Sequence, residues 1–139
     1  FREVIALYER RYPAGHYLTG LFRGNLAGTL IRLKRPAEAE LQVREGLAMY
    51  AKTLPPAHQN VGILRLRLAT ALVDQGKHRQ GVNEGLAAYE NLMSQPTPPA
   101  AWLKNARRIL VRAYTGLGDS TNARRYQNEL DAAEASAAK

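Results

Sequence analysis

Apolar and small residues recur along this chain in a fixed triplet. Leu26, Ala27 and Leu30 are followed by Leu68, Ala69 and Leu72, and then by Leu110, Val111 and Tyr114. Each set places a large residue, a smaller one and another large one at i, i+1 and i+4, with Val111 standing where the other copies have Ala. That spacing marks one face of an α-helix, whereas a strand would alternate with period two. The pattern then breaks at Lys34, Gly76 and Gly118. Gly suits such a place because helix C-termini commonly close in a left-handed conformation. Lys34 departs from this, and Pro36 is expected to mark the break instead. A second helical stretch follows each break, with a small residue one turn in (Ala39, Gly81, Ala123) that lets antiparallel helices approach closely. The expected second helices cover 36 to about 53, 78 to about 94 and 119 to about 135, after the tail of an earlier helix over residues 1–12. Pro55, Pro56, Pro96, Pro98 and Pro99 interrupt the pattern between units.

The copies keep a constant offset. Arg2 and Arg44, Glu3 and Glu45, Leu7 and Met49, Tyr8 and Tyr50, Pro13 and Pro55, and His16 and His58 are all separated by 42 residues. Self-similarity at such a period indicates a repeat architecture. The predicted fold is all-α, an alpha-alpha superhelix of about seven antiparallel-paired helices forming a single array over residues 1–139. Residues 1–14 are the last helix of a preceding unit, and 15–56, 57–98 and 99–139 are three helix–turn–helix units. "EGLAAY" at 84–89 recurs 39 residues after "EGLAMY" at 45–50, so the second helix of the middle unit is expected to be shortened or differently packed. Gly81 and Gly85 weaken it further, by about 1 kcal/mol each relative to Ala.

These features resemble the tetratricopeptide repeat family over essentially the whole chain. The residues carrying the likeness are Leu-Ala at 26–27 and 68–69, the turn glycines, and Ala39 and Ala123 in the second helices. The 42-residue period exceeds the usual length of about 34. It is more similar to the long kinesin light chain type, with a His ahead of the first helix (His16, His58) and an Asn-Leu-Ala run (Asn25 to Ala27). The third unit has Ala100 in place of the His. The resemblance implies a noncatalytic scaffold that binds protein or peptide in a concave groove, in which the Asn before Leu-Ala grips the peptide backbone. Only Asn25 keeps that residue; Arg67 and Ile109 replace it elsewhere. Bacterial signalling proteins, including some serine/threonine kinases, carry similar arrays, and the chain is expected to be a fragment of a larger signalling or regulatory protein because Phe1 falls inside a helix; a structural or dimerising segment attached to such an enzyme is an alternative reading.

Composition narrows the chemistry. Zero cysteines exclude disulfides, thiolate metal sites and cysteine nucleophiles. No apolar run approaches the ~20 residues that span a bilayer, so no membrane partner and a cytoplasmic location are expected. The net charge of +8 is spread as +1, +3, +1 and +3 over the four segments, with acids interleaved. A basic chain attracts nucleic acid or acidic peptides. The interleaving and the scarcity of exposed aromatics make nucleic acid the alternative partner and an acidic peptide or protein the expected one. Trp102, the single Trp, is expected to pack in the core or between units.

No catalytic constellation emerges. His16 and His58 lie on neighbouring units whose helices stand about 8–10 Å apart, while zinc needs nitrogens at about 2.0–2.1 Å; both are expected to cap or pack. His78, between Lys77 and Arg79, reads as a solvated turn residue. Ser94, Ser120 and Ser136 sit near helix boundaries or in the tail, where hydroxyls cap or stay solvated. "GLGDS" at 116–120 follows a helix rather than a strand and lacks the Lys of a phosphate loop. No enzyme activity, metal or cofactor is expected.

Surface recognition remains. In stacked helix pairs the first helices line the concave face. Helical spacing from the core stripe places Asn25, Gly28 and Arg32 there from the first unit, Arg67, Thr70 and Asp74 from the second, and Asn105, Arg108 and Arg112 from the third. Arg108 and Arg112 are one turn apart and suited to gripping a carboxylate, although a solvated basic face is the plainer reading. Gly24 and Gly28 allow close backbone approach by a neighbour or a ligand. Phe1, Val4, Ile5 and Leu7 offer a competing surface for self-association through an exposed repeat end.

Overall fold

The computed structural model describes residues 1–13 and 15–138; the unit boundary at residue 14 and the end of the tail at residue 139 lie outside the described residues. Its seven helices, with no strand among the described residues, are α1 (Arg2–Arg11), α2 (Tyr17–Arg32), α3 (Pro36–Thr53), α4 (Gln59–Asp74), α5 (His78–Met93), α6 (Ala100–Gly116) and α7 (Ser120–Ala137). The fold is all-α, as predicted. The second helices α3, α5 and α7 begin at 36, 78 and 120, and the first helices α2, α4 and α6 end at 32, 74 and 116, so the 42-residue register is kept at every internal turn.

The register is set by local chemistry. His16 and His58 cap α2 and α4, their Nδ1 atoms accepting from the backbone N–H of Leu18 at 3.1 Å and Asn60 at 3.0 Å. The side chain of Asp119 caps α7 in the same way, accepting from Asn122 N–H at 3.1 Å. At the other end of each first helix the chain closes with one motif three times. Lys34, Gly76 and Gly118 donate to the carbonyls of Ile31, Val73 and Thr115, and the next residues Arg35, Lys77 and Asp119 reach back to Leu30, Leu72 and Tyr114. This double closure satisfies carbonyls that a helix end leaves free. All three turn residues are left-handed, with φ of 61°, 77° and 75°. The sequence expectation for Lys34 is therefore corrected: it adopts the glycine conformation despite its Cβ, because the closure and the docking of α3 against α2 hold the turn.

Burial follows the stripe. Leu26, Leu30, Leu68, Leu72 and Leu110 are all buried, as are Ala27 and Ala69. Two apolar clusters make up the core, and α4 belongs to both: Leu64, Leu68 and Leu72 face the first, Leu66, Ala69 and Val73 the second. A helix packed on both sides must be apolar almost all round, which is how α4 reads.

The middle unit shows how the displaced "EGLA" is absorbed. The helix α5 has 16 residues against 18 in α3 and α7. Gly46 of α3 sits under Leu64 of α4, where a Cβ would come within 2.9 Å; Gly85 of α5 sits under Leu110 of α6 at the same 2.9 Å. Gly85 lies three residues early in the 42 register, and Leu110 lies four residues late. Consecutive helices run antiparallel, so one turn back on α5 meets one turn forward on α6.

Candidate functional site

The first helices α2, α4 and α6 lie side by side and enclose a concavity of about 370 Å³. Ile31, Leu66, Ile109 and Trp102 supply its apolar surface. Seven of the nine residues placed in the groove from sequence line it: Gly28, Arg32, Arg67, Thr70, Asn105, Arg108 and Arg112. Asn25 lines an adjoining concavity of about 120 Å³ with Gly24, Ile63 and Tyr50, and Arg67 and Trp102 line both. Asp74 lies outside these linings and is engaged in an ion pair.

Arg67 is the central group. Its guanidinium stands 5.4 Å from the centroid of the Trp102 ring and no carboxylate lies within 4 Å of it among the described residues. Burial pulls its pKa below the ordinary arginine value, the nearby charge of Arg32 pulls the same way, and Tyr50 opposes them. Tyr50 is itself pushed up to about 12 by burial, against the charge of Arg67. Gly28 makes the arrangement possible, since a Cβ there would run into the Arg67 guanidinium.

The four arginines of the concavity differ in their partners. Arg112 pairs with Asp74 across from α6 to α4 at 2.6 Å, so the proposed tandem of Arg108 and Arg112 is half neutralised before any ligand arrives. Arg32 donates to Thr29 Oγ1 at 3.1 Å, and neither it nor Arg108 has a carboxylate within 4 Å among the described residues. Thr70 donates to the Leu66 carbonyl of its own helix. Arg32, Arg67 and Arg108 are thus the open cations, one from each first helix.

Trp102 is half-buried, packed against a core cluster and against Arg67 of the neighbouring unit as expected, and it also lines the groove; its spacing of three from Asn105 and six from Arg108 is the signal for the groove face. One sequence reading is corrected. His78 is half-buried rather than solvated, its imidazole packed where a Cβ on Gly116 would stand and its Nδ1 buried without a hydrogen-bond partner among the described residues. The end of α6 covers the turn that follows α4, an effect of stacking that the turn sequence alone does not show.

Among the described residues, no group of three or more His, Asp or Glu side chains is disposed to hold a metal ion, and no helix is long and apolar enough to cross a membrane. No family model, no curated protein and no solved structure matches the chain.

Proposed function

We propose that the chain is a tetratricopeptide-type array of the long kinesin light chain kind, acting as a noncatalytic module that holds an extended acidic segment of a protein partner along its first helices. The observation that carries this reading is the convergence of Arg32, Arg67 and Arg108 on one apolar-floored concavity without a neutralising carboxylate among the described residues. Arg32 and Arg108, the exposed ones, meet an approaching carboxylate first. Arg67 is partly withdrawn from water, so a carboxylate reaching it interacts at lower effective dielectric and gains more. Trp102 and Ile109 then supply apolar contact beside the charge, the combination that anchors interfaces.

The test is titration of a fluorescent Asp- and Glu-rich peptide, with Trp102 emission as a second readout. Arg108→Glu is expected to weaken binding by tenfold or more, while thermal stability stays within about 0.5 kcal/mol because the position is exposed. Equal binding by Arg108→Glu would remove the groove assignment. Nucleic acid is the competing partner. A single-stranded oligonucleotide that binds more tightly than the peptide, with the steep salt dependence of counterion release, would replace the peptide reading.

A further inference from the structure

The three units close their helix pairs differently at one place. Positions 20, 62 and 104 are equivalent at the 42-residue spacing. Gly20 of α2 is filled by the Tyr50 ring of α3, 2.5 Å from where a Cβ would stand, and Gly62 of α4 is filled by Asn91 of α5. In the third unit Lys104 replaces the glycine, and the plug from α7 is Glu134, 3.9 Å from the Lys104 ammonium with both side chains about half exposed. At this ion pair α6 and α7 leave a cavity of about 450 Å³, lined among others by Leu103, Lys104, Arg107, Leu130, Ala133, Glu134 and Ala137. That volume lies within the ~300–1,000 Å³ of small-molecule sites.

A second series at the same spacing supplies the charge. Arg23, Arg65 and Arg107 are equivalent in α2, α4 and α6. Arg23 is neutralised by Glu9 and by Glu45 at 2.6 Å, and Arg65 by Glu84 at 2.9 Å. Arg107 has no carboxylate within 4 Å among the described residues. Glu129, which stands where Glu45 does in the first unit, instead accepts from the Tyr89 hydroxyl at 3.3 Å. The Arg107 guanidinium lies 5.7 Å from the Tyr89 ring centroid, and its Nε is buried with no acceptor among the described residues. Burying such a donor unpaired is costly.

We infer that the cavity between α6 and α7 is a binding site for a small amphiphilic carboxylate, whose apolar body rests on Leu103, Leu130, Ala133 and Ala137 and whose anion is taken by Arg107 and Lys104. Two cations, Arg107 and Lys104, and one carboxylate, Glu134, line the cavity, so the site carries a positive excess beside an apolar floor. It shares no lining residue with the concavity of the first helices and does not rest on the peptide reading.

The probe is 2-naphthoate, titrated calorimetrically into the protein beside its uncharged analogue 2-naphthamide. One saturable site with a Kd below about 1 mM is expected, with 2-naphthamide, Arg107→Met and Ala137→Phe each weakening binding about tenfold or more. Ala137 is exposed near the end of α7, so its substitution fills the cavity mouth without threatening the fold, whatever Arg107→Met does to stability. Binding of the acidic peptide should be untouched by Ala137→Phe, and naphthoate binding untouched by Arg108→Glu. Absence of saturation by about 5 mM, equal affinity for 2-naphthamide, or unchanged affinity in Ala137→Phe would each overturn the site. So would a wild-type dimer in sedimentation that Ala137→Phe converts to monomer, because the cavity would then be the seat of a second copy.

Discussion

Replacing Lys34 by Gly removes a Cβ from a left-handed residue and leaves both hydrogen bonds of the turn in place. Lys34 holds φ at 61°, and its closure is the same as at Gly76 and Gly118, with N–H to carbonyl distances of 2.9–3.0 Å at all three turns. The left-handed conformation costs a non-glycine residue about 1–2 kcal/mol. Glycine returns part of that, about 0.4–1 kcal/mol, through the greater freedom of its unfolded chain. The balance is a stabilisation of about 0.5–1 kcal/mol for Lys34→Gly. Gly76→Ala and Gly118→Ala run the comparison in reverse: nothing lies within 4 Å of an added Cβ at either position, so backbone conformation alone acts and each should destabilise by a similar amount. For a chain of 139 residues, an unfolding entropy of about 2.1 cal/mol/K per residue converts this to a Tm change of about 2–4 °C. Calorimetric Tm and urea midpoints of the three variants test it together. A neutral or destabilising Lys34→Gly, or a Gly76→Ala that melts no lower than the parent, would refute the claim that the three turns are energetically one motif.

Two further outcomes follow from side-chain geometry. Gly28→Ala should leave stability within about 0.5 kcal/mol, since the gain in helix propensity offsets the displacement of the Arg67 guanidinium, yet it should shift Trp102 emission and weaken acidic-peptide binding several-fold; unchanged Trp102 emission would mean that Arg67 does not depend on the missing Cβ. Glu40 bridges α3 to the turn after α4, accepting from Arg44 and Gln75 at 2.8 Å and from Lys77 at 3.0 Å. Burial raises its pKa, but these three donors together outweigh that and bring it down to about 2 from 4.5. Its stabilisation is therefore complete above pH 4.5 and lost as pH falls toward 2. After discounting for the exposed Arg44 and Lys77, Glu40→Gln should cost about 1–2 kcal/mol at pH 7 and nothing near pH 2. A difference between the two proteins that does not shrink on acidification would remove Glu40 from the acid response.

The number of helices, their register and the stripe that faces the core were legible in the amino-acid sequence because each depends on contacts within a few residues. A His that caps, a Pro at the first helical position of α3 and a turn that must go left-handed all act inside one or two turns of chain. The nine groove residues were placed by helical spacing alone, and seven line one concavity because the face opposite a buried stripe is determined once the stripe is known.

Tertiary structure decided what each of those side chains has beside it. Arg112 meets Asp74 from 38 residues away, Arg67 turns onto Trp102, and the displaced glycine of α5 finds a leucine one turn further along α6. Intrinsic preference places Lys34 outside the glycine conformation, but the closure of α2 onto α3 outweighs roughly 1 kcal/mol of local preference. Arg23, Arg65 and Arg107 read alike at their 42-residue spacing, yet only the packed structure separates two paired arginines from one without a carboxylate partner among the described residues. Periodicity determines which face a residue occupies; which charge stands opposite depends on how neighbouring helices are offset, and that offset is a property of the assembled stack.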